Sequence, residues 1–127
     1  IGSLMVGSRD AVAEARVWRK RMGGGMRQVG ILAAAGLHAL DHHVDRLAED
    51  HAHARLLAEA CGVDPAEVET NIVVVRRPDA AELVAAAREE GVLVSAVGPT
   101  AVRLVTHLDV GRDDAEKAAA VLARLVR

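Results

Sequence analysis

An α+β fold is predicted here, with helices first and a small βαββα two-layer domain after them. Three observations predict it. Apolar residues recur at helical spacing through the first sixty positions. The period then changes at "TNIVVVRR", a β-branched run from Thr70 to Arg77 closed by Pro78. Finally, "VLVSAV" and "AVRLVTH" flank Gly98-Pro99-Thr100, a connection short enough for a hairpin.

Each element follows from local chemistry. Ile1 to Val6 reads as a short strand. Ser8 is a helix N-cap, and Asp10 falls in the first turn, where a negative charge suits the helix dipole. Ala11, Ala15, Trp18 and Met22 then repeat on one face, and Gly23-Gly24-Gly25 ends the helix. A second helix is expected from about Met26 to His42. Its stretch from Val29 to Leu40 is apolar almost all round, as in helices surrounded by protein. A third, about Val44 to Ala60, places Leu47, His51, Ala54 and Ala58 on one side. After the strand at 70–77, Asp79 caps a helix through Glu90, with Leu83, Val84 and Ala87 inward and Gly91 as its stop. Strands at Val92–Val97 and Ala101–His107 follow. Asp113 or Asp114 opens the last helix, whose apolar stripe is Ala118, Leu122 and Leu125.

Composition narrows the function. The chain has 127 residues, enough for one domain with one core, and a formal net charge of −2. It has one Trp and neither Tyr nor Phe, so a base-stacking surface for nucleic acid is not expected. The core must be Ala, Val and Leu. Cys61 is the single cysteine, which rules out an internal disulfide and fits a reducing, cytoplasmic compartment. No apolar run approaches the roughly 20 residues of a membrane span. The chain opens without Met in what reads as mid-strand, and its second helix asks for more coverage than 127 residues supply. Both features suggest a fragment of a larger protein. A tag scar at Gly2-Ser3 is the other reading of that start.

Two anion sites stand out. Strand alternation puts Val102, Leu104 and Thr106 on one face and Arg103, Val105 and His107 on the other. A guanidinium among apolar strand residues calls for an anion, and its fork matches a carboxylate. An internal salt bridge or a solvated face also accommodates it. In "WRKRMGGGMRQ", Arg27 is expected in the first turn of the second helix, where free N–H groups and the dipole favour a phosphate. This is neither a P-loop nor a GxGxxG fingerprint, so a flexible helix–helix joint stays open. His38 and His42 have a zinc-compatible spacing. They lack a third ligand in register and an HExxH motif, so no metal is assigned. No catalytic triad can be assembled.

The segments "GSLMVGSRD", "ARVWRKRMGGGMRQVGILAAAGLHAL", "RLAEDHAHARLLAE", "TNIVVV" and "VRLVTHLDV" occur in that order and cover nearly the whole chain. Together they closely resemble the C-terminal portion of low-specificity L-threonine aldolases, pyridoxal 5'-phosphate enzymes of the aspartate-aminotransferase-like fold. The resemblance implies a lyase that cleaves β-hydroxy-α-amino acids to glycine and an aldehyde. It implies that residues 1–25 end the large cofactor domain, 26–60 are connecting helices, and 61–127 form the small C-terminal domain. It places the substrate carboxylate on Arg103 and the cofactor phosphate on Arg27, reached across a subunit interface. Lys20 lies near the pocket, with an electrostatic role. The Schiff-base lysine would lie upstream of Ile1, so no catalytic residue is assigned and the chain alone is expected to be inactive. A homo-oligomer, dimer or tetramer, is implied. The alternatives are the small domain of another type-I pyridoxal-phosphate lyase or transferase, and a non-catalytic helical oligomerisation module.

Overall fold

A computed structural model describes residues 2–127. The chain divides into two compact units, one running to Val44 and the other spanning Asp45–Arg127.

The first unit holds α1 (Arg9–Arg21) and α2 (Gly30–His42). Ser8 caps α1 as its sequence position predicts, its Oγ accepting from the Ala11 N–H at 3.2 Å. The strand expected over the first six residues is absent from residues 2–6, which have no regular structure; Ile1 lies outside the described residues. A strand needs a partner's hydrogen-bond ladder, and the first unit holds no other strand among the described residues. The second helix begins at Gly30 rather than near Met26. Gln28 has φ 51°, in the left-handed region that breaks a right-handed helix path. Nothing in α1 or α2 is buried, and Ile31, Leu37 and Leu40 are more than half exposed.

The second unit contains α3 (Leu47–Ala60), a 3-10 turn (Pro65–Glu67), β1 (Ile72–Arg76), α4 (Ala80–Glu89), β2 (Ser95–Ala96), β3 (Ala101–Val105) and α5 (Arg112–Leu125). The sheet is antiparallel with order β1-β3-β2, so β3 is central. One face is dry: Val73, Val75, Val102 and Leu104 are buried together with Ala54, Leu57, Leu83, Ala87 and Leu122 from the helices. Removing each large side chain from water contributes about 1.5–3 kcal/mol. α3 joins this core through Ala54, Leu57 and Ala58, because its small residues let the helix approach the sheet closely.

The boundaries differ from the sequence reading in ways that local competition explains. β2 has two residues instead of six. The chain leaves α4 through a Schellman turn, in which Val92 N–H donates to Ala87 O at 2.8 Å and Gly91, at φ 79°, donates to Arg88 O. Asp79 holds the N-cap position of α4 but makes no side-chain cap. Its carboxylate is taken by Arg77, whose Nε and Nη2 donate at 2.5 and 2.6 Å. α5 starts from Gly111, with Asp113 and Asp114 already inside its first turn.

Candidate functional site

The glycine segment is built onto the C-terminus of α1. Gly23, at φ 81°, donates to Lys20 O, and Gly24 N–H donates to Arg19 O at 2.8 Å. That is again a Schellman closure, and it folds the chain back on the helix end. A Cβ at Gly24 would stand 2.9 Å from Arg19 Cγ and 3.1 Å from Arg19 O; one at Gly25 would stand 2.9 Å from Lys20 Cδ. The Arg19 and Lys20 stems therefore lie against bare backbone. Arg21 sits over the Trp18 ring, 5.2 Å from its centroid. Lys20 and Arg27 are exposed and, among the described residues, form no ion pair. Arg27 lies outside α2, two residues before its N-cap Val29, which carries no side-chain cap. The expected place in the helix's first turn is thus corrected by the backbone turn at Gln28. The Gly23 and Gly24 N–H groups are spent on this closure, so the donors suited to a phosphate are the cations and the helix start that carries no side-chain cap.

Arg103 belongs to the second unit. It is exposed on the central strand, on the sheet face opposite the core. Val74 stands directly across β1 from it and Ser95 across β2. Ile72, Val74 and Val105, each about two-fifths exposed, put apolar surface beside it on the same face, where Arg76 also lies diagonal to it. Arg103 also forms no ion pair among the described residues. The structure therefore places Lys20 and Arg27 around one loop in the first unit and Arg103 on an open sheet face in the second.

Below Arg103 the central strand is pinned by a polar network that the sequence reading missed. Asp50, 3 % exposed, receives two hydrogen bonds from Arg46, at 2.9 and 3.0 Å. The Asp50 backbone oxygen accepts from Thr106 Oγ1 at 2.6 Å, and Thr106 O accepts from Asn71 Nδ2 at 2.6 Å. These bonds tie the start of α3 to the ends of β1 and β3. A signal was available: Arg46 and Asp50 are spaced i, i+4, and Asp50 precedes Ala54 by four on the buried face.

A cleft of about 720 Å³ opens beside this network, lined by Arg46, Glu49, His53, Leu56, Leu108 and Arg112, among others. Its charges are largely committed: Arg46 to Asp50, and Arg112 to Glu116 at 2.8 Å. The buried His53 Nδ1 has no partner among the described residues. The rings of His38 and His42 are 4.5 Å apart, and those of His38 and His43 5.2 Å. Among the described residues no group of three or more His, Cys, Asp or Glu is arranged to hold a metal. Burial pushes the Cys61 thiol up to about 11, so it is a packing group rather than a nucleophile. Among the described residues, no helix is long and apolar enough to cross a membrane.

Residues 1–96 match the beta-eliminating lyase family, and the chain belongs to that family. Within it, the similarity runs to low-specificity L-threonine aldolases. The chain is 47 % identical over 125 residues to the "Low specificity L-threonine aldolase" of Escherichia coli K12, covering 94 % of this chain and 37 % of that protein. It is 40 % identical over 127 residues to a "Probable low-specificity L-threonine aldolase 2" of Arabidopsis thaliana (91 % and 36 %). It is 35 % identical over 130 residues to a probable low-specificity L-threonine aldolase of Schizosaccharomyces pombe (99 % and 33 %). The chain thus spans about a third of the length of these relatives.

Proposed function

We propose that this chain works as the C-terminal part of a pyridoxal 5'-phosphate-dependent threonine aldolase. The enzyme cleaves L-threonine, L-allo-threonine and related β-hydroxy-α-amino acids to glycine and an aldehyde by retro-aldol chemistry. The observation that carries the reading is Arg103, a guanidinium with no ion pair among the described residues, beside Val74, Ile72 and Val105 on an open sheet face. The similarity to proteins named threonine aldolases supports it.

Arg103 receives the substrate α-carboxylate in a two-point fork. Its apolar surroundings displace water and strengthen that contact. A fixed carboxylate sets the orientation of the bond to be broken, which is where much of the protein's rate advantage comes from. Arg27 holds the cofactor phosphate of a neighbouring subunit, and Lys20 adds positive potential beside it. When bound, the cofactor supplies a conjugated sink for the electron pair left as Cα–Cβ breaks. The lysine that bonds the cofactor and the base that takes the β-hydroxyl proton are assigned to sequence outside these 127 residues.

In that enzyme, residues 1–25 end the large domain, 26–60 connect, and 61–127 form the small α+β domain of an aspartate-aminotransferase-like fold, with α3 packed onto its core. Service of Arg27 to a neighbour requires a homo-oligomer, dimer or tetramer. The exposed apolar residues of α2 favour such an assembly. A cytoplasmic location goes with this reading. The test is glycine release from threonine with added cofactor. The full-length protein should release glycine and acetaldehyde together, and the isolated 127-residue chain should release neither. Turnover by the isolated chain would show that the cofactor-bonding lysine has been placed wrongly.

A further inference from the structure

We infer that Ser95 is a substrate-binding residue of the carboxylate subsite, its hydroxyl donating a hydrogen bond to a carboxylate oxygen held in the Arg103 fork. This rests on the role of Arg103 proposed above. In an antiparallel sheet, directly opposed residues share a face. The register pairs Arg103 with Val74 on one side and Ser95 on the other, so the three side chains form one row across β1, β3 and β2.

The two neighbours are not equivalent. Val97 N–H donates to Ala101 O at 2.7 Å. Two residues further along each strand, Ser95 and Arg103 are therefore a hydrogen-bonded pair, with Cα atoms about 5.5 Å apart. On the other side, Arg77 N–H donates to Thr100 O, which makes Val74 and Arg103 a non-hydrogen-bonded pair about 4.5 Å apart. Val74 is thus the close apolar wall, and the wider gap lies on the Ser95 side.

Chemistry favours that side as well. A carboxylate offers about four acceptor positions, and a bidentate guanidinium uses two. The next donor must come from the same face. There, Ile72, Val74, Ala101 and Val105 offer no side-chain hydrogen bond. Arg76 on β1 is also a donor on this face, but it is diagonal to Arg103, whereas Ser95 stands directly opposite it. Ser95 is half-buried, and its hydroxyl makes no hydrogen bond among the described residues. It is therefore available to a ligand.

The experiment compares Ser95→Ala, Ser95→Thr and Ser95→Val with Arg103→Ala in the full-length protein, measuring KM and kcat for threonine and thermal unfolding. Thr and Val have the same shape, so a purely structural position treats them alike. Ser95→Ala and Ser95→Val should raise KM about tenfold, the low end for a lost hydrogen bond to a charged group, with kcat changed less than about twofold. Ser95→Thr should restore KM. If Thr and Val are equally impaired, or if Ser95→Ala matches wild type while Arg103→Ala raises KM, the role of Ser95 is overturned and that of Arg103 stands. If Arg103→Ala leaves KM unchanged, the carboxylate subsite itself is in the wrong place.

Discussion

Replacing Asp50 with Ala should destabilise the second unit by about 2 kcal/mol. Asp50 is 3 % exposed and receives both Arg46 hydrogen bonds at 2.9 and 3.0 Å. Breaking a fully buried ion pair costs about 3–5 kcal/mol, because the surviving charge is left unpaired. Two features reduce that figure. The Arg46 side chain keeps 21 % of its surface in water, and Glu49 lies 3.9 Å away as an alternative partner. The backbone oxygen that accepts from Thr106 is retained, so the pin on β3 survives the substitution. Urea unfolding followed by circular dichroism measures the effect as a lower midpoint with an unchanged slope. Adding Arg46→Met to Asp50→Ala should recover part of the loss, since the stranded guanidinium is then gone. A loss of unfolding free energy below about 0.5 kcal/mol for Asp50→Ala would refute the reasoning, as would a double variant no better than the single.

Three further outcomes follow from the structure. At pH 8, Cys61 should react with a thiol reagent about a hundredfold more slowly in the folded chain than after denaturation, because burial raises its pKa from 9.0 to about 11; equal rates would place the thiol in water. The hydrogen bonds from Arg77 hold the Asp79 carboxyl below its ordinary value of 3.8. The stability this contributes is present above that value and fades as pH falls through the lower folded one. Asp79→Asn should flatten acid unfolding below about pH 4, and an unchanged acid limb would remove the pair from the pH response. Gly24→Ala would set a methyl 2.9 Å from Arg19 Cγ and 3.1 Å from the Arg19 carbonyl that the loop's own N–H uses. The loop must shift, so cofactor affinity of the full-length protein should fall several-fold; wild-type affinity would detach the loop from phosphate binding.

What the sequence made legible was local. The Ser8 cap and the alternation along β3 depend on neighbours within a few residues, and both were readable. The extent of β2 was not, because it depends on the turn that leaves α4 and on the length of ladder β3 offers an edge strand. The sequence around Arg27 favours a helix, whereas one left-handed residue, Gln28, ends that continuity. The anionic chemistry proposed for Arg103 could be framed from residue type and alternation. The row that places it between Val74 and Ser95 is long-range, and it emerges only once the strand order β1-β3-β2 is known. Asp50 is not legible as a buried group, because helical spacing alone does not tell a solvated carboxylate from one closed off by Thr106, 56 residues away at the end of β3.

The most direct measurement is the KM for threonine and the cofactor dissociation constant of the Arg103→Ala variant of the full-length protein, taken on the same preparation. Loss of a two-point charged contact made from an apolar face should raise KM about a hundredfold while cofactor binding stays at the wild-type level. Wild-type KM in that variant, or a loss confined to cofactor affinity, would contradict the assignment of this sheet face to the substrate carboxylate.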